Sequence, residues 1–156
     1  MNNLDLECAK AANAIAAELG KDKDAAQELE KLATAGGAVL AENGPYAFYL
    51  YLWSRSKRRQ KKQDGSEERV RFTPAEKIAE ETYRVVAMAL ALGPVPKPWS
   101  WESTLAKMQE VGGNLERLLL AKKLLGQTLT YLRYHAKARG KERGREARIT
   151  AVGGSR

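Results

Sequence analysis

Apolar residues recur at three- and four-residue steps along nearly the whole chain, and the pattern stops only at glycine and proline. Leu4, Cys8, Ala11, Ala12, Ile15, Ala16 and Leu19 form the first such stripe, closed by Gly20. This period belongs to a helix with one buried face, and no segment shows the two-residue alternation of a half-buried strand. The chain therefore reads as all-α: a single compact bundle of about six helices, with a basic loop after helix 3 and a flexible C-terminal tail. At 156 residues it is long enough for one domain with a real core. The expected division is a helical domain over 1–139 and a basic flexible tail over 140–156.

The punctuation gives the boundaries. Asp22 or Asp24 can cap a second helix carrying Ala25, Leu29, Leu32 and Ala33, which Gly36-Gly37 should interrupt. A short turn over 38–40 leads to Asn43-Gly44, and Pro45 suits the first position of a third helix, where its missing N–H is no loss. That helix should run to about Lys61 with Phe48, Tyr49, Leu52 and Trp53 on one side, leaving Tyr46 and Tyr51 nearer the rim. Residues 63–71 are polar, contain Asp64-Gly65-Ser66 and read as a mobile loop. Thr73-Pro74-Ala75-Glu76 has the form of a capping box, and the helix it opens should end at Gly93-Pro94. Pro94, Pro96 and Pro98 form a stiff linker, and Trp99 and Trp101 after it suit a clamp of that linker onto the core. Ser100 can cap a short helix up to Gly112-Gly113. Asn114 can cap the last, with Leu115, Leu118, Leu119, Leu125, Leu129 and Leu132 on its inner side.

The net positive charge comes from two places. Arg55-Ser56-Lys57-Arg58-Arg59-Gln60-Lys61-Lys62 holds six cations and no acid. The stretch 133–148 adds Arg133, Lys137, Arg139, Lys141, Arg143, Arg145 and Arg148 against Glu142 and Glu146. Together they carry 13 of the 27 Lys and Arg but 2 of the 19 Asp and Glu, so the rest of the chain is slightly acidic and the net +8 is local. Six like charges in eight residues repel one another, and the helix dipole accounts for only two or three of them. A polyanion that neutralises them is the favoured account, with contacts to phosphates rather than to base edges. The expected contacts are Arg55, Lys57, Arg58, Arg59, Lys61, Lys62, Arg133, Lys137 and Arg139. Tyr46, Phe48, Tyr49, Tyr51 and Trp53 could stack on bases, but core packing suits most of them better.

Chemistry finds few candidates. His135 is the single histidine, without an evident acid or nucleophile beside it, and a surface or packing role outweighs general acid–base work. Cys8 is alone, so no internal disulfide is possible, and one Cys with one His makes no zinc site. No phosphate-binding glycine loop or dinucleotide fingerprint is present. The adjacent pairs Glu67-Glu68 and Glu80-Glu81 point to different parts of a helix and suit solvated faces. The expectation is a protein that is not an enzyme, needs no cofactor or metal, and works in the cytoplasm: no apolar run approaches the roughly 20 residues of a membrane span, and Met1–Asp5 opens no secretion signal.

Two stretches carry a resemblance. The first is Glu42-Asn43-Gly44, then Ala47-Phe48-Tyr49-Leu50-Tyr51-Leu52, then the break Ser54-Arg55-Ser56-Lys57. The second is Gln127-Thr128-Leu129-Thr130-Tyr131-Leu132-Arg133-Tyr134-His135-Ala136-Lys137-Ala138. In helix order, length and these patterns the chain over about 4–139 resembles the small all-helical subunit of the type III-B CRISPR-associated Cmr (RAMP module) effector complex. The resemblance implies a non-catalytic role in antiviral defence. Copies would stack into a filament beside the guide RNA–target RNA duplex, meet other Cmr subunits, and touch guide and target RNA through phosphates. Two other readings stay open: a helical protein–protein adaptor that binds no nucleic acid, and a small nuclease or toxin built on His135 with Arg133 and Tyr134.

Overall fold

The computed structural model describes residues 3–56 and 73–153. Among these it is all-helical: α1 (Leu4–Leu19), α2 (Lys23–Arg55), α3 (Pro74–Leu90), α4 (Trp101–Gly112) and α5 (Leu115–Gly153). The caps follow the sequence. Asp22, Thr73, Ser100 and Asn114 each accept a hydrogen bond from the backbone N–H three residues on, satisfying donors that a helix start leaves open. Asn3 does the same for α1. The expected loop at 63–71, and Lys57, Arg58, Arg59, Lys61 and Lys62, lie outside the described residues.

Among the described residues five helices stand where about six were expected, because the helices before and after Gly44 run on as α2 across a kink; Gly36-Gly37 does not interrupt the first of them. The break comes at Gly44, whose φ of 87° and ψ of −177° leave the helical region, with Pro45 opening the next turn. Only glycine adopts such a φ without strain, and proline cannot return the N–H that a straight helix needs. The bend is sharp. Gly36 and Phe48 would stand roughly 18 Å apart along a straight helix, yet a Cβ on Gly36 would lie 3.1 Å from Phe48 Cε2. Gly36 is therefore small because the second half of α2 folds back onto it.

The tail is a second correction. The last helix does not stop near residue 139; α5 continues through Gly140 and Gly144 to Gly153. These glycines sit against α2: Cβ atoms on them would lie 3.6 Å from Ala26 Cβ and 3.6 Å from Lys23 Cδ, and one on Gly126 3.8 Å from Leu40 Cδ2. As the α5 number rises the α2 number falls, so the two helices run antiparallel. The distances at the glycines are ordinary contact distances, so the two helices touch there and a methyl group would still fit.

The core lies between α5 and the other four helices. Leu125, Leu129, Leu132 and Ala136 of α5 meet Cys8, Ala12, Ile15 and Ala16 of α1, Leu29, Phe48, Tyr49 and Leu52 of α2, and Ile78, Tyr83 and Val86 of α3 in one cluster. Leu115 and Leu119, expected inside, are 70% and 56% exposed, and Leu118 is half-buried. Trp53 is also outside the core and stacks on Trp101, with ring centres 6.3 Å apart and planes 5° apart. Trp101 in turn meets the edge of Trp99, and Trp99 meets Tyr83, so the tryptophans do pin the proline linker. The polar groups of Tyr49 and Glu81 are buried with partners. The Tyr49 hydroxyl shares a hydrogen bond with Thr82 Oγ1 at 3.1 Å, and burial pushes its pKa far above the ordinary phenol value. Glu81 bridges Lys77 at 3.4 Å and Arg84 at 3.0 Å, while Lys77 reaches Glu18 of α1 at 2.9 Å.

Candidate nucleic-acid interface

The basic residues fall into three places. Arg55 ends α2, exposed, with its guanidinium 5.4 Å from the centre of the Tyr51 ring. It borders a cavity of about 420 Å³ together with Lys31, Glu28 and Pro74. The cations of the run after it, from Lys57 on, lie outside the described residues.

Arg133 and Lys137 lie on α5 and face α2. Arg133 lines a groove of about 700 Å³ with Gln27, Glu30, Lys31 and Thr34. Lys137 lines the next, of about 320 Å³, with Lys23, Lys141 and Arg148. Glu30 borders both, so the two grooves adjoin along the seam, and Lys31 links the first to the cavity at Arg55. Arg133, Lys137, Lys141, Gly144 and Arg148 follow one another at three- or four-residue steps, one side of a helix. No ion pair engages Lys23, Lys137, Lys141 or Arg148 among the described residues.

Arg139 is elsewhere. Two residues along a helix turn the side chain by about 200°, and Arg139 points to α1. Its Nη2 donates to Asn13 Oδ1 at 3.2 Å, its Cδ lies beside Gly20, and its Nε is buried without a partner. The structure thus brings Arg133 and Lys137 together and sets Arg139 on the opposite side, as a brace between α1 and α5.

No family model, no curated protein and no solved structure matches the chain. Its chemistry must therefore be read from its own geometry. His135 is half-buried, and its side chain forms no hydrogen bond or ion pair among the described residues. Among those residues no group of three His, Cys, Asp or Glu side chains could hold a metal ion, and no helix is long and apolar enough to cross a membrane. Cys8 is buried, its thiol donates to the Leu124 carbonyl at 3.6 Å, and burial raises its pKa, which keeps it in the unreactive thiol form. What the α2–α5 seam can do is hold negative charge.

Lys23, Lys31, Lys141 and Arg148 were not among the expected contacts. For Lys141 and Arg148 the signal was present in the four-residue steps from Arg133, with glycines between them. For Lys23 and Lys31 there was none, since only the packing of two helices about a hundred residues apart brings them to α5.

Proposed function

We propose that the chain is the small, non-catalytic helical subunit of a type III-B CRISPR effector complex of the Cmr type. In this reading it stacks with copies of itself beside the guide RNA–target RNA duplex and contributes contacts to RNA phosphates in antiviral defence. The observation that carries the reading is the resemblance of 42–57 and 127–138, in a chain that is all-helical among the described residues and whose net positive charge arises in two blocks. Cleavage would belong to other subunits, and sequence would be read by pairing between guide and target, leaving phosphate contacts to this one. Co-purification from the native cell tests the assembly: other effector subunits and a guide RNA should come with the chain. RNA affinity of that assembly tests the contacts. Reversing Lys57, Arg58, Arg59, Lys61 and Lys62 to Glu should weaken it strongly. The same change should flatten its salt dependence by roughly 0.7–0.9 in log–log slope for each phosphate no longer neutralised. Recovery of the chain without RNA, or equal affinities and slopes for both forms, would overturn the reading.

A helical protein–protein adaptor is the second reading, and one feature favours it. Tyr46, Leu50 and Trp53 are exposed at i, i+4 and i+7 on one side of α2, a spacing that suits an apolar contact with another helix. Recovery with protein partners and no RNA would favour it.

A further inference from the structure

The cleft between the start of α2 and the far end of α5 has the features of a site for a single phosphodiester strand. Lys23 stands on one wall, and Lys137, Lys141 and Arg148 on the other, around a cavity of about 320 Å³. Gly140 and Gly144 line it, and their missing side chains keep it open beside Ala26 and Lys23. The acids of this part of α5, Glu142 and Glu146, fall on other sides of the helix, and Glu146 pairs with Arg143 at 3.1 Å. Lys23 is also at the first turn of α2, where the helix dipole disfavours a cation. Its position opposite three further cations adds repulsion that an anion in the cleft would relieve.

We propose that this cleft binds the backbone of single-stranded nucleic acid, independently of the basic run after α2. Cations on two facing walls converge on a narrow chain; a duplex presents a broad convex surface instead. A second observation points the same way. Tyr134 is 63% exposed, three residues before Lys137 and seven before Lys141 on the same side of α5. An exposed ring in line with phosphate-binding cations is a stacking platform, and only an unpaired base offers it a face. From Lys137 to Arg148 the helix rises roughly 16 Å, room for several phosphates. Binding would carry no base code, since the cleft offers charge rather than a set of donors and acceptors aimed at base edges. The inference shares the RNA contact of the reading above but not the assembly, so it is tested on the isolated full chain.

The test is fluorescence anisotropy with a short labelled oligouridylate, beside a duplex of the same length and inorganic phosphate as competitor, across a salt series. The triple variant Lys23→Gln, Lys141→Gln, Arg148→Gln should lower single-strand affinity at least tenfold at low salt. With three fewer cations at phosphates, the log–log salt slope should flatten by about two. Tyr134→Ala should cost about fivefold on the single strand and nothing on the duplex. Glu30→Gln should tighten binding, because Glu30 is the acid at the cleft wall. A control of equal net charge, Lys10→Gln, Lys97→Gln, Lys107→Gln, should leave the slope within about half a unit of wild type, less than one phosphate's worth. Equal loss in the control would reduce the effect to overall charge and overturn the proposal. So would tighter binding of the duplex than of the single strand, or displacement by phosphate alone at equal concentration. Circular dichroism of each variant separates lost binding from lost fold, and the single variant Arg148→Gln serves where the triple one unfolds. Failure of this test leaves co-purification with an effector complex unaffected, and the reverse also holds.

Discussion

The two sides of α5 differ in kind. Toward α1 the helix is tied down by polar groups: Gln127 and Tyr131 both donate to Asp5, Arg139 donates to Asn13, and the Cys8 thiol donates to Leu124. Toward α2 it packs closely and is tied near its start, where Lys122 donates to the Ala41 carbonyl at 3.0 Å. From Arg133 on, however, it offers glycines and cations without an ion pair among the described residues, and grooves run beside them. One helix thus serves as a structural member on one side and as an unsatisfied charged surface on the other. Groups that already have partners contribute to stability and are poor sites for ligands. Groups left without partners contribute little to stability and are where binding is to be sought.

The largest effect should come from the buried stripe that both sides share. Leu132 is fully buried in the centre of α5, and Leu132→Ala should destabilise the protein by about 2–5 kcal/mol. Urea denaturation measures it. A loss below about 1 kcal/mol would mean that α5 is not the central helix and that the contrast between its sides has no common core.

Next is the buried carboxylate of α3, whose ion pairs lie within that helix and set the Lys77 that reaches Glu18 of α1. Glu81 is 4% exposed and bonded to Lys77 and Arg84. Glu81→Ala should cost about 3 kcal/mol, where the ranges for a charged hydrogen bond and for a broken buried pair meet. Burial works against the charge on Lys77, but the bonds to Glu18 and Glu81 outweigh it and hold its pKa above the ordinary value. The raised pKa means that the folded chain holds this proton more tightly than the unfolded one. Its stabilisation is full below the unfolded pKa and is lost as pH rises through the folded one. Alkaline denaturation above about pH 10.5 should therefore begin earlier in Glu81→Gln than in wild type.

Glycine substitution probes the α2 side of α5 directly, with Gly20 as a contrast whose sign is set by the backbone of α1 itself. Gly20 closes α1 beside Arg139, and a Cβ there would meet the Ala16 carbonyl oxygen at 2.8 Å. Gly20→Ala should destabilise. Gly140 on the α2 side has its nearest neighbour at an ordinary 3.6 Å and a helical backbone. Gly140→Ala should therefore stabilise by up to about 1 kcal/mol, from the gain in helix propensity. Both are read from thermal melts. A loss of stability in Gly140→Ala would show that the α2 side has no room for a further methyl group.

Much of this was legible in the chain. Thr73, Ser100 and Asn114 act as caps because capping is a local hydrogen bond over three residues. Gly44-Pro45 bends α2 because its backbone limits are local as well. Gly36-Gly37 was misleading, since its glycine answers to Phe48 twelve residues on, and only the folded-back helix supplies that neighbour. Gly140 and Gly144 read as a flexible tail because their composition is that of a linker, yet they are helical and packed beside α2. Leu115 and Leu119 continue the leucine pattern of α5, but that pattern cannot tell an inner from an outer stripe where the neighbouring helices end. Of the candidate site, the cations were visible and their grouping was not. Lys137 and Arg139 were expected together, and helical turn alone sets them on opposite sides.

The smallest effect on stability belongs to the cations of the cleft, and it is the most telling. Lys141 is exposed, has no ion pair among the described residues, and stands near Lys137 and Arg148. Lys141→Gln removes a repulsion and no bond, so stability should move by less than about 0.5 kcal/mol, upward if at all. Raising salt should stabilise wild type slightly more than the variant, because screening relieves the repulsion that the variant no longer has. Asn13→Ala on the other side should instead lower stability, since it strips a partner from Arg139, whose Nε is already buried without one. Parallel urea titrations at low and high salt check both. A clear destabilisation by Lys141→Gln would mean that the cleft is held by contacts of its own, and the division between a tied side and an open side of α5 would fall.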